Sequence, residues 1–586
     1  MDAMSPVEEL VFTIENIAGF DSAAGGDAAA LSHDTLIEIL TEADRFAEQE
    51  LVEADRNGDR IGATFANGRV TTAPGWPELY RRWRAGGWAG LAAPQEFGGQ
   101  GLPIIVHAAI QEIWNAGSAS FATGAMLLAG AIDALSFHAS PDLKARFLPS
   151  LVSGEWMATM DLTEPAAGSD LGAIATRAEP AADGSWRIFG EKIFITYGDH
   201  DLTPNIIHLV LARAAGAPQG TAGLSLFVVP KMLGTAVNDM AVARIERKLG
   251  LHGTPTCAMV YGGRGEGATG WLVGDLNRGL AAMFAMMNFT RMNVAIQGIG
   301  VAERSFRDAL AYARLRRQGS IGGIPVAIAE HPDVQAMLVR MQALTAAARA
   351  LAYSCAYAID RGRAGGEDLR GVWSDRAALL TPVAKAFATD AGIEVANLGI
   401  QVHGGAGYIE DTGAAQRLRD ARIFAIYEGT NGIQAIDLVV RKLPLRDGRI
   451  VEEWLQELRD VLAAVRELGS PALGNTAQRL APALAQFEDA TRFMLVRGRN
   501  RVALAAATPY CRLFGLVSGA VLLAKGALHE GAAGGTFTAL ARYFAECMLG
   551  EAGGLHAAIS EGAPALDQAA SMIIGGDRRP SAQGAA

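Results

Sequence analysis

The sequence has few cysteines and few charged residues, and both shortages exclude classes of protein. Its 586 residues include only four cysteines, Cys257, Cys355, Cys511 and Cys547, and no two of them are close in sequence. A disulfide framework or a zinc site needs denser spacing, so we expect structural thiols in a reducing compartment and no metal. Charged residues make up 19% of the chain and the mean hydropathy is +0.17, values that exclude disorder for most of its length.

Basic residues and long apolar runs are also scarce. The formal net charge is −11, whereas a general binder of nucleic acid or of anionic membranes needs an excess of Lys and Arg. Residues 1–10 have neither the basic head nor the apolar run of a secretory signal. The longest apolar run, residues 513–524, has 12 residues, fewer than the ~20 that a membrane helix needs. We therefore expect a cytoplasmic protein with no membrane span and no nucleic-acid partner.

The order of sequence patterns predicts the domain organisation. At ~100–200 residues per domain, the length indicates three or four structural units. Apolar residues such as Leu36, Leu40 and Ala43 recur at helical spacing, and helical patterns return after residue 279. Between them lie short β-prone runs, which favour a compact barrel or sandwich, so the predicted fold class is mainly α with an inserted β domain. The predicted boundaries are an N-terminal extension at 1–33, an N-terminal helical domain at 34–157, a central β domain at 158–278, a helical bundle at 279–444, an additional C-terminal helical domain at 445–575 and a disordered tail at 576–586.

Two stretches in the β region carry hydroxyl groups in settings that suit a ligand. In residues 160–170 (MDLTEPAAGSD), Thr163 and Ser169 flank a Pro- and Gly-containing turn that can present hydroxyls and backbone N–H groups to one ligand. An ordinary surface turn with a helix-capping Ser is the alternative interpretation. Residues 192–196 (KIFIT) form a predicted strand that ends in a hydroxyl, a weak signal because Thr is a favoured strand residue.

Two further stretches lie in the helical region. In residues 401–408 (QVHGGAGY), closely spaced glycines allow the backbone to approach a phosphate or a ring, although a helix-ending turn is the alternative. In residues 427–434 (YEGTNGIQ), Glu428 precedes a helix that Thr430 or Asn431 can cap. A carboxylate in this apolar, Gly-flanked loop is a candidate general base, because burial raises its pKa; a solvated Glu near a helix N-terminus is the alternative. The helix is expected to bury a stripe at Ile433, Ile436 and Val440.

Together and in this order, the four stretches resemble the acyl-CoA dehydrogenase family over about residues 34–444. Residues 163–170 are similar to its flavin-binding signature and residues 427–430 to its catalytic-base motif. The appended helices and residues 198–208 (GDHDLTPNIIH) resemble, more narrowly, the large bacterial subgroup that includes 3-methylmercaptopropionyl-CoA dehydrogenases. The resemblance implies a helical N-terminal domain, a central β barrel and a helical bundle, followed by an extra C-terminal helical domain.

The resemblance also implies an FAD cofactor and the residues of the site. Glu428 corresponds to the catalytic base, and Arg316 to an arginine that reaches the FAD pyrophosphate of a neighbouring subunit. The residues implied in cofactor binding are Met160, Leu162, Thr163, Ser169, Phe194, Ile195, Thr196, Arg316, Gln401, Gly404, Gly405 and Thr430, and those implied in substrate binding are Ser169, Asn288 and Arg291.

The implied reaction is the α,β-dehydrogenation of an acyl-CoA thioester to a trans-2-enoyl-CoA. Glu428 would take the α proton, the β hydrogen would leave as hydride to the flavin, and electron-transfer flavoprotein would accept the electrons. The acyl group stays open between 3-methylmercaptopropionyl and a medium or long straight chain. In enlarged relatives the added helices occupy the surface of a second dimer, so a homodimer is expected. Two alternatives remain: an acyl-CoA oxidase, and a non-catalytic relative that acts as a binding protein.

Overall fold

The computed structural model describes residues 4–20, 31–364 and 367–574, and it shows helices, then strands, then two successive groups of helices. The side chains of residues 284–285 and 367–369 lie outside the description, as does the predicted disordered tail at 576–586. The N-terminal group contains α1 (Pro6–Phe12), α2 (His33–Phe46), α3 (Val52–Ile61), the strands β1 (Thr64–Ala66) and β2 (Arg69–Thr71), α4 (Trp76–Ala85), α5 (Ile104–His138) and α6 (Pro141–Val152).

Helix α5 is interrupted at Ser118, and the interruption divides it into two helical halves. Ser118 has φ −154° and ψ 102°, outside the helical region. Its hydroxyl accepts a hydrogen bond from the Phe121 N–H (3.2 Å) and donates one to the Asp55 carboxylate (2.7 Å). Ser118 therefore caps the second half of α5, as Ser commonly does at a helix start. The first turns of this second half carry Ser120 and Thr123, which reach the candidate site.

The central β domain is a closed ring of strands. The strands are β3 (Met157–Asp161), β4 (Arg177–Pro180), β5 (Trp186–Thr196), β6 (Ile206–Ala214), β7 (Leu224–Pro230), β8 (Met232–Leu233), β9 (Ala236–Val237), β10 (Met240–Ile245), β11 (Thr256–Tyr261) and β12 (Ala268–Val273). β5 pairs with β12, β12 with β7, β7 with β6, β6 with β4 and β4 with β5, while β3 adds to β6 in parallel and β11 and then β10 extend the sheet from β5. The ring of five strands forms the predicted barrel, and β3 and β10 are the end strands of the sheet.

Three long helices form the bundle, and a buried ion-pair cluster joins them to the N-terminal group. Arg349, on the second of these helices, is 2% exposed and pairs with Glu303 of the first, with Glu112 of α5 and with Glu9 of α1. Carboxylates from three other helices thus compensate one buried guanidinium. The bundle contains α7 (Gly279–Leu315), the hairpin β13 (Arg317–Ile321) and β14 (Ile324–Ala327), α8 (Pro332–Ala364), α9 (Glu367–His403), α10 (Ala414–Phe424) and α11 (Asn431–Asp437).

The C-terminal helices cover the outer face of the bundle. Gly515 lies directly against α9, where a Cβ would meet the Phe387 side chain at 2.7 Å. Lys525, on the same helix as Gly515, donates a 2.6 Å hydrogen bond to the Ile17 carbonyl, which attaches this group to the N-terminal segment. The helices are α12 (Arg449–Leu468), α13 (Thr476–Arg497), α14 (Arg501–Glu530), α15 (Thr536–Tyr543) and α16 (Glu551–Ile573).

Two helices in the described part of the chain, α5 and α14, have the length and hydropathy of a membrane span. In both, most of the apolar window is buried inside the protein, 78% for α5 and 83% for α14. The predicted fold class is confirmed, including the barrel and the extra helical domain. Two hairpins, β1–β2 and β13–β14, were not predicted. The expected buried stripe was wrong, because Ile436 is 38% exposed while Gln434, Ala435 and Leu438 are buried.

Candidate active site

Glu428 lies in a strained loop between α10 and α11 that several side chains hold in place. Glu428 has φ +56° and Gly429 has φ +87°, so two consecutive residues adopt the left-handed conformation. A non-Gly residue rarely adopts this conformation unless its surroundings impose it. The Glu428 carbonyl oxygen accepts hydrogen bonds from Arg291 Nε (3.2 Å) and Gln434 Nε2 (3.0 Å). These hydrogen bonds therefore hold the backbone of the loop in one conformation at Glu428.

Lys385, on α9, holds the other side of this loop. Its side chain is 0% exposed, and its Nζ donates 2.9 Å hydrogen bonds to the Gly429 carbonyl and to Asn431 Oδ1. Asn431 in turn donates from Nδ2 to Asp390 Oδ1 (2.8 Å). Lys385 was not predicted as a site residue, although the sequence shows it as a lone cation in the apolar run of residues 383–388 (VAKAFA).

Burial and two nearby cations act in opposite directions on the pKa of Glu428. Burial raises the pKa of Glu428 above its ordinary value, and the nearby cations Arg291 and Lys385 partly oppose the rise. Burial also lowers the pKa of Lys385 to about 7, against the opposite influence of Glu428 and Asp390. The Glu428 side chain remains half-buried, so a ligand can reach it. A carboxylate with a raised pKa that a ligand can reach has the properties of a general base.

A second buried lysine, Lys192, attaches the predicted flavin-binding stretch, residues 160–170, to the barrel. Lys192 is 0% exposed, and its Nζ donates to the Leu162 carbonyl (3.0 Å) and to Glu164 Oε1 (2.8 Å). The Thr163 carbonyl accepts a 2.9 Å hydrogen bond from the Ile193 N–H. The structure therefore brings two of the predicted stretches, 160–170 and 192–196, side by side. Within the first, Met160 is buried, Leu162 and Thr163 are half-buried, and Ser169 is exposed.

Phe194 presents an apolar ring at this surface. It has φ +59° and is 59% exposed, whereas its neighbour Ile195 is buried and Thr196 is half-buried. The Thr196 carbonyl accepts a 2.6 Å hydrogen bond from the Thr159 hydroxyl, which fixes the end of β5 against β3. A large ring held outward by a strained backbone, beside half-buried hydroxyls, fits a flat apolar ligand with polar edges.

The flavin stretch and the Glu428 loop are both attached to one segment of α5. Tyr197, which follows Thr196, donates a 2.8 Å hydrogen bond to the Ser120 carbonyl. Tyr427, which precedes Glu428, donates to Gln297 Oε1, and Gln297 Nε2 donates to Thr123 Oγ1 (2.9 Å). Ser120 and Thr123 are one helical turn apart. These hydrogen bonds were not predicted from the sequence. They attach both predicted parts of the site to the same segment of α5.

The remaining cofactor residues form a separate group at the far ends of α7 and α9. Arg316 caps α7, and Gln401, Gly404 and Gly405 lie where α9 ends; all four are exposed. The two helix ends are joined where Tyr312 stacks on His403, with ring centroids 4.5 Å apart. Arg316 lies 25 residues beyond Arg291, which corresponds to about 37 Å along the helix. This group therefore does not contact the Glu428 region of the same chain.

The other predicted residues have structural contacts of their own. Thr430 is exposed and caps α11, because its hydroxyl accepts from the Ile433 N–H (3.2 Å). Asn288 is half-buried on α7, one turn before Arg291. Arg291 is 6% exposed and lies against the Glu428 carbonyl, with its Nη1 3.8 Å from Asp437 Oδ2. It therefore supports the Glu428 loop, a contact that the sequence analysis did not predict.

Comparisons with known proteins identify the class to which this fold and site belong. Family models match along most of the chain: the acyl-CoA dehydrogenase N-terminal domain at residues 34–155, the middle domain at 159–262, the C-terminal domain at 277–443 and the acetyl-CoA dehydrogenase C-terminal like domain at 454–569. The chain belongs to the acyl-CoA dehydrogenase family, whose members are FAD-dependent oxidoreductases. The predicted family membership, enzyme class and cofactor are thereby confirmed.

Individual relatives extend over nearly the whole chain. The chain is 42% identical to the 3-methylmercaptopropionyl-CoA dehydrogenase of Ruegeria pomeroyi over 529 residues, which cover 88% of this chain and 89% of that protein. It is 34% identical to the broad-specificity linear acyl-CoA dehydrogenase FadE5 of Mycobacterium tuberculosis, over 80% of this chain and 79% of that one. Among solved structures, an acyl-CoA dehydrogenase of Bacillus anthracis has a TM-score of 0.74 at 21% identity, covering 96% and 94% of the two chains, which shows the shared fold.

Proposed function

We propose that this protein dehydrogenates an acyl-CoA thioester between Cα and Cβ, with Glu428 as the base. The observation that carries the proposal is the geometry of the Glu428 loop: a half-buried carboxylate with a raised pKa, held on a strained backbone by Arg291, Gln434 and Lys385. A thioester carbonyl acidifies the adjacent C–H, and a carboxylate of raised pKa is a stronger base toward that proton than an ordinary one. Glu428 then carries the proton away from the reacting carbon.

The backbone around Glu428 supplies a second element of the chemistry. As the α proton leaves, negative charge develops on the thioester oxygen, which needs a hydrogen-bond donor. The Glu428 N–H has no hydrogen-bond partner among the described residues. Because the left-handed turn fixes its direction, this N–H is the donor that we assign to the thioester oxygen. The same residue then orients the carbonyl and accepts the proton.

The residues around Phe194 fit the FAD of this family. Met160, Leu162 and Thr163 are held beside Phe194–Thr196 by Lys192, and Phe194 presents an uncovered ring. We assign these residues, with Ser169, to the flavin and its edge. When bound, FAD accepts the β hydrogen as hydride. The residues of the chain hold and orient the ring and keep water from it, and Asn288 is assigned to the CoA arm.

The separate group around Arg316 supports a homodimer. In one chain, Arg316 lies about 37 Å along α7 from Arg291 and the Glu428 loop, and the family resemblance assigns Arg316 to the FAD pyrophosphate of a neighbouring subunit. Apolar side chains around the two helix ends are left uncovered, with Leu315 82% exposed and Tyr408 84% exposed. We infer that this surface meets a second copy, so that Arg316, Gln401, Gly404 and Gly405 complete the FAD site of the partner. Thr430 contacts the cofactor from the side of the base.

The test is an anaerobic absorbance titration of the FAD-loaded protein with acyl-CoA thioesters of different lengths. We expect bleaching of the flavin and appearance of a trans-2-enoyl-CoA, followed by rapid reoxidation by electron-transfer flavoprotein. Equally rapid reoxidation by air with formation of hydrogen peroxide would identify an acyl-CoA oxidase instead. A flavin that no thioester bleaches would contradict the proposal and favour a binding protein.

A further inference from the structure

A carboxylate is buried inside the barrel domain, directly beside the flavin-binding stretch. Asp161, the last residue of β3, is 0% exposed and lies in sequence between Met160 and Leu162, which we assign to the flavin. Its carboxylate accepts a 3.1 Å hydrogen bond from Nδ1 of the His208 ring and a second one from the Tyr261 hydroxyl. His208 is 0% exposed and Tyr261 is 2% exposed. We call Asp161, His208 and Tyr261 the Asp161 cluster.

The strand register puts this cluster on the same face of β3 as a second contact with the flavin site. β3 pairs in parallel with β6, with Thr159 opposite His208. Because side chains alternate along a strand, Thr159 and Asp161 point to the same face. The Thr159 hydroxyl donates to the Thr196 carbonyl (2.6 Å), and Asp161 accepts from Tyr261 on β11. Two side chains of one strand therefore attach the end of β3 to β5 and to β11.

Stability alone does not account for a carboxylate at this position. A buried charge loses its hydration, and well-packed apolar side chains in its place are often neutral or stabilising. The Asp161 charge also acts on a neighbouring cation: burial lowers the pKa of Lys192, and the carboxylates of Glu164 and Asp161 oppose that shift. Lys192 in turn donates to the Leu162 carbonyl. Asp161 therefore supports the flavin-binding stretch in two ways, through the hydrogen bonds of β3 and by favouring the charged form of Lys192.

We propose that Asp161 is a positioning residue for hydride transfer, acting through β3 and Lys192 on the flavin and not on the base. The inference rests on the proposed function, which assigns residues 160–163 to the flavin. The side-chain hydrogen bonds that the structure describes for the Asp161 cluster stay within the barrel domain, whereas side chains of α7, α9 and α11 hold the Glu428 loop. Loss of Asp161 should therefore displace the flavin but not Glu428. Hydride transfer is sensitive to such a change, because a misplacement of ~1 Å costs about 100-fold in rate.

The test compares two steps of the reaction in the wild type and in Asp161→Asn, which keeps the size of the side chain and removes its charge. Both proteins are studied at equal FAD content. Hydride transfer is followed as anaerobic flavin reduction by butyryl-CoA. Removal of the α proton is followed as deuterium uptake from D₂O by methylthioacetyl-CoA, in which sulfur takes the place of the β carbon so that no β hydride can leave. We expect flavin reduction to fall roughly tenfold or more, while deuterium uptake stays within about threefold of the wild type.

A spectroscopic measurement and a second variant support this comparison. The visible circular dichroism of the bound flavin depends on the groups around its ring, so it should change in Asp161→Asn. Tyr261→Phe removes one donor to Asp161 and keeps the packing of the aromatic ring. It should lower the ratio of flavin reduction to deuterium uptake in the same direction, and it serves if Asp161→Asn does not fold.

Asp239→Asn provides the matched control. Asp239 is another buried carboxylate of the barrel domain, 5% exposed, and the hydrogen bonds that the structure describes for its carboxylate go to residues 264–267 and not to β3 or β5. Its substitution should change neither the ratio nor the circular dichroism. In folded Asp161→Asn and Tyr261→Phe, an unchanged rate of flavin reduction, an unchanged spectrum or a parallel fall of both steps would overturn the inference. A wild type with neither flavin reduction nor deuterium uptake would instead overturn the proposed function itself.

Discussion

The ammonium group of Lys385 donates a 2.9 Å hydrogen bond to the carbonyl oxygen of Gly429, the residue that follows the candidate base Glu428. Lys385 comes from the middle of α9 and is completely buried, so it reaches the loop from inside the bundle. Its charge also lowers the pKa of Glu428, which burial alone would raise further. One side chain thus acts on both the shape of the loop and the proton affinity of the base, which makes Lys385 a positioning residue.

Replacement of this lysine should shift the pH dependence of turnover. In Lys385→Met the cation that stabilises ionised Glu428 is lost, so the pKa of Glu428 rises and the acid limb of kcat/KM moves to higher pH. At pH 7 we expect roughly a tenfold loss of activity, equivalent to ~1.4 kcal/mol. The measurement is a pH–rate profile from pH 5 to 9. Lys525→Met, which removes another largely buried lysine far from the loop, is the control, and an identical acid limb in all three proteins would exclude this role.

The same lysine should make stability depend on pH. Its pKa is lowered to about 7 in the folded protein, against an ordinary value of 10.5. Between these two values the unfolded chain binds more protons than the folded one, so the free energy of unfolding rises with pH. The contribution is at most ~1.4 kcal/mol per pH unit. Urea unfolding at pH 7, 8 and 9 should show the wild type gaining stability relative to Lys385→Met; a constant difference would contradict the lowered pKa.

Lys192 should be needed both for stability and for FAD retention. Lys192→Met leaves Glu164, which is 5% exposed, buried without its cation, and breaking such a pair costs about 3–5 kcal/mol. It also releases the Leu162 carbonyl and hence the flavin stretch. Urea midpoints and the flavin-to-protein absorbance ratio should both fall. The double variant Lys192→Met/Glu164→Gln should recover stability, because no unpaired charge remains; a double variant no more stable than the single one would refute the ion-pair explanation.

Arg316 should affect FAD binding without affecting the fold. Its side chain is exposed, and its contact in the structure is a 3.4 Å hydrogen bond to Gln318. We therefore expect Arg316→Ala to have the same free energy of unfolding as the wild type. On dilution, it should lose FAD at least tenfold more readily. Arg314→Ala, an exposed neighbour on the same helix, is the control.

The subunit arrangement can be checked on the same samples. Sedimentation should give a mass near twice the 61.4 kDa of one chain for the wild type and both variants. A monomer that retains FAD would rule out the assignment of Arg316 to the site of a partner.

The sequence was sufficient for the order of domains and for the barrel. The strands at 206–214 and 224–230 are runs of buried apolar residues, and α12 has a regular apolar stripe through Trp454, Leu458 and Leu462. The hairpins β1–β2 and β13–β14 were missed because their strands have five residues or fewer and are largely exposed. Such strands leave no strong hydrophobic pattern. The interruption of α5 at Ser118 was also missed, because it depends on the backbone angles of Ser118 and on its hydrogen bond to Asp55, 63 residues away in sequence.

For the site, motifs predicted the residues near the reaction but not those that hold them. Glu428 and Thr163 lie in recognisable stretches, whereas Lys385, Gln297 and Lys192 act through contacts between elements distant in the chain. The sequence implied a role for Arg291 at the CoA arm, which stays a prediction, but it could not show that the guanidinium also meets the Glu428 carbonyl across 137 residues. The role of a buried polar side chain of this kind can be recognised only when its hydrogen-bond partners are known.

The central claim, that Glu428 is the base, is tested most directly by Glu428→Gln. The amide keeps the size of the side chain and the hydrogen bonds of the loop, which involve the Glu428 backbone, but it cannot accept the α proton. The measurement is the anaerobic rate of flavin reduction by butyryl-CoA in a stopped-flow instrument, at equal FAD content. We predict a fall of at least ~1,000-fold, within the 10²–10⁴ that general-base catalysis contributes. A rate within threefold of the wild type would contradict the account.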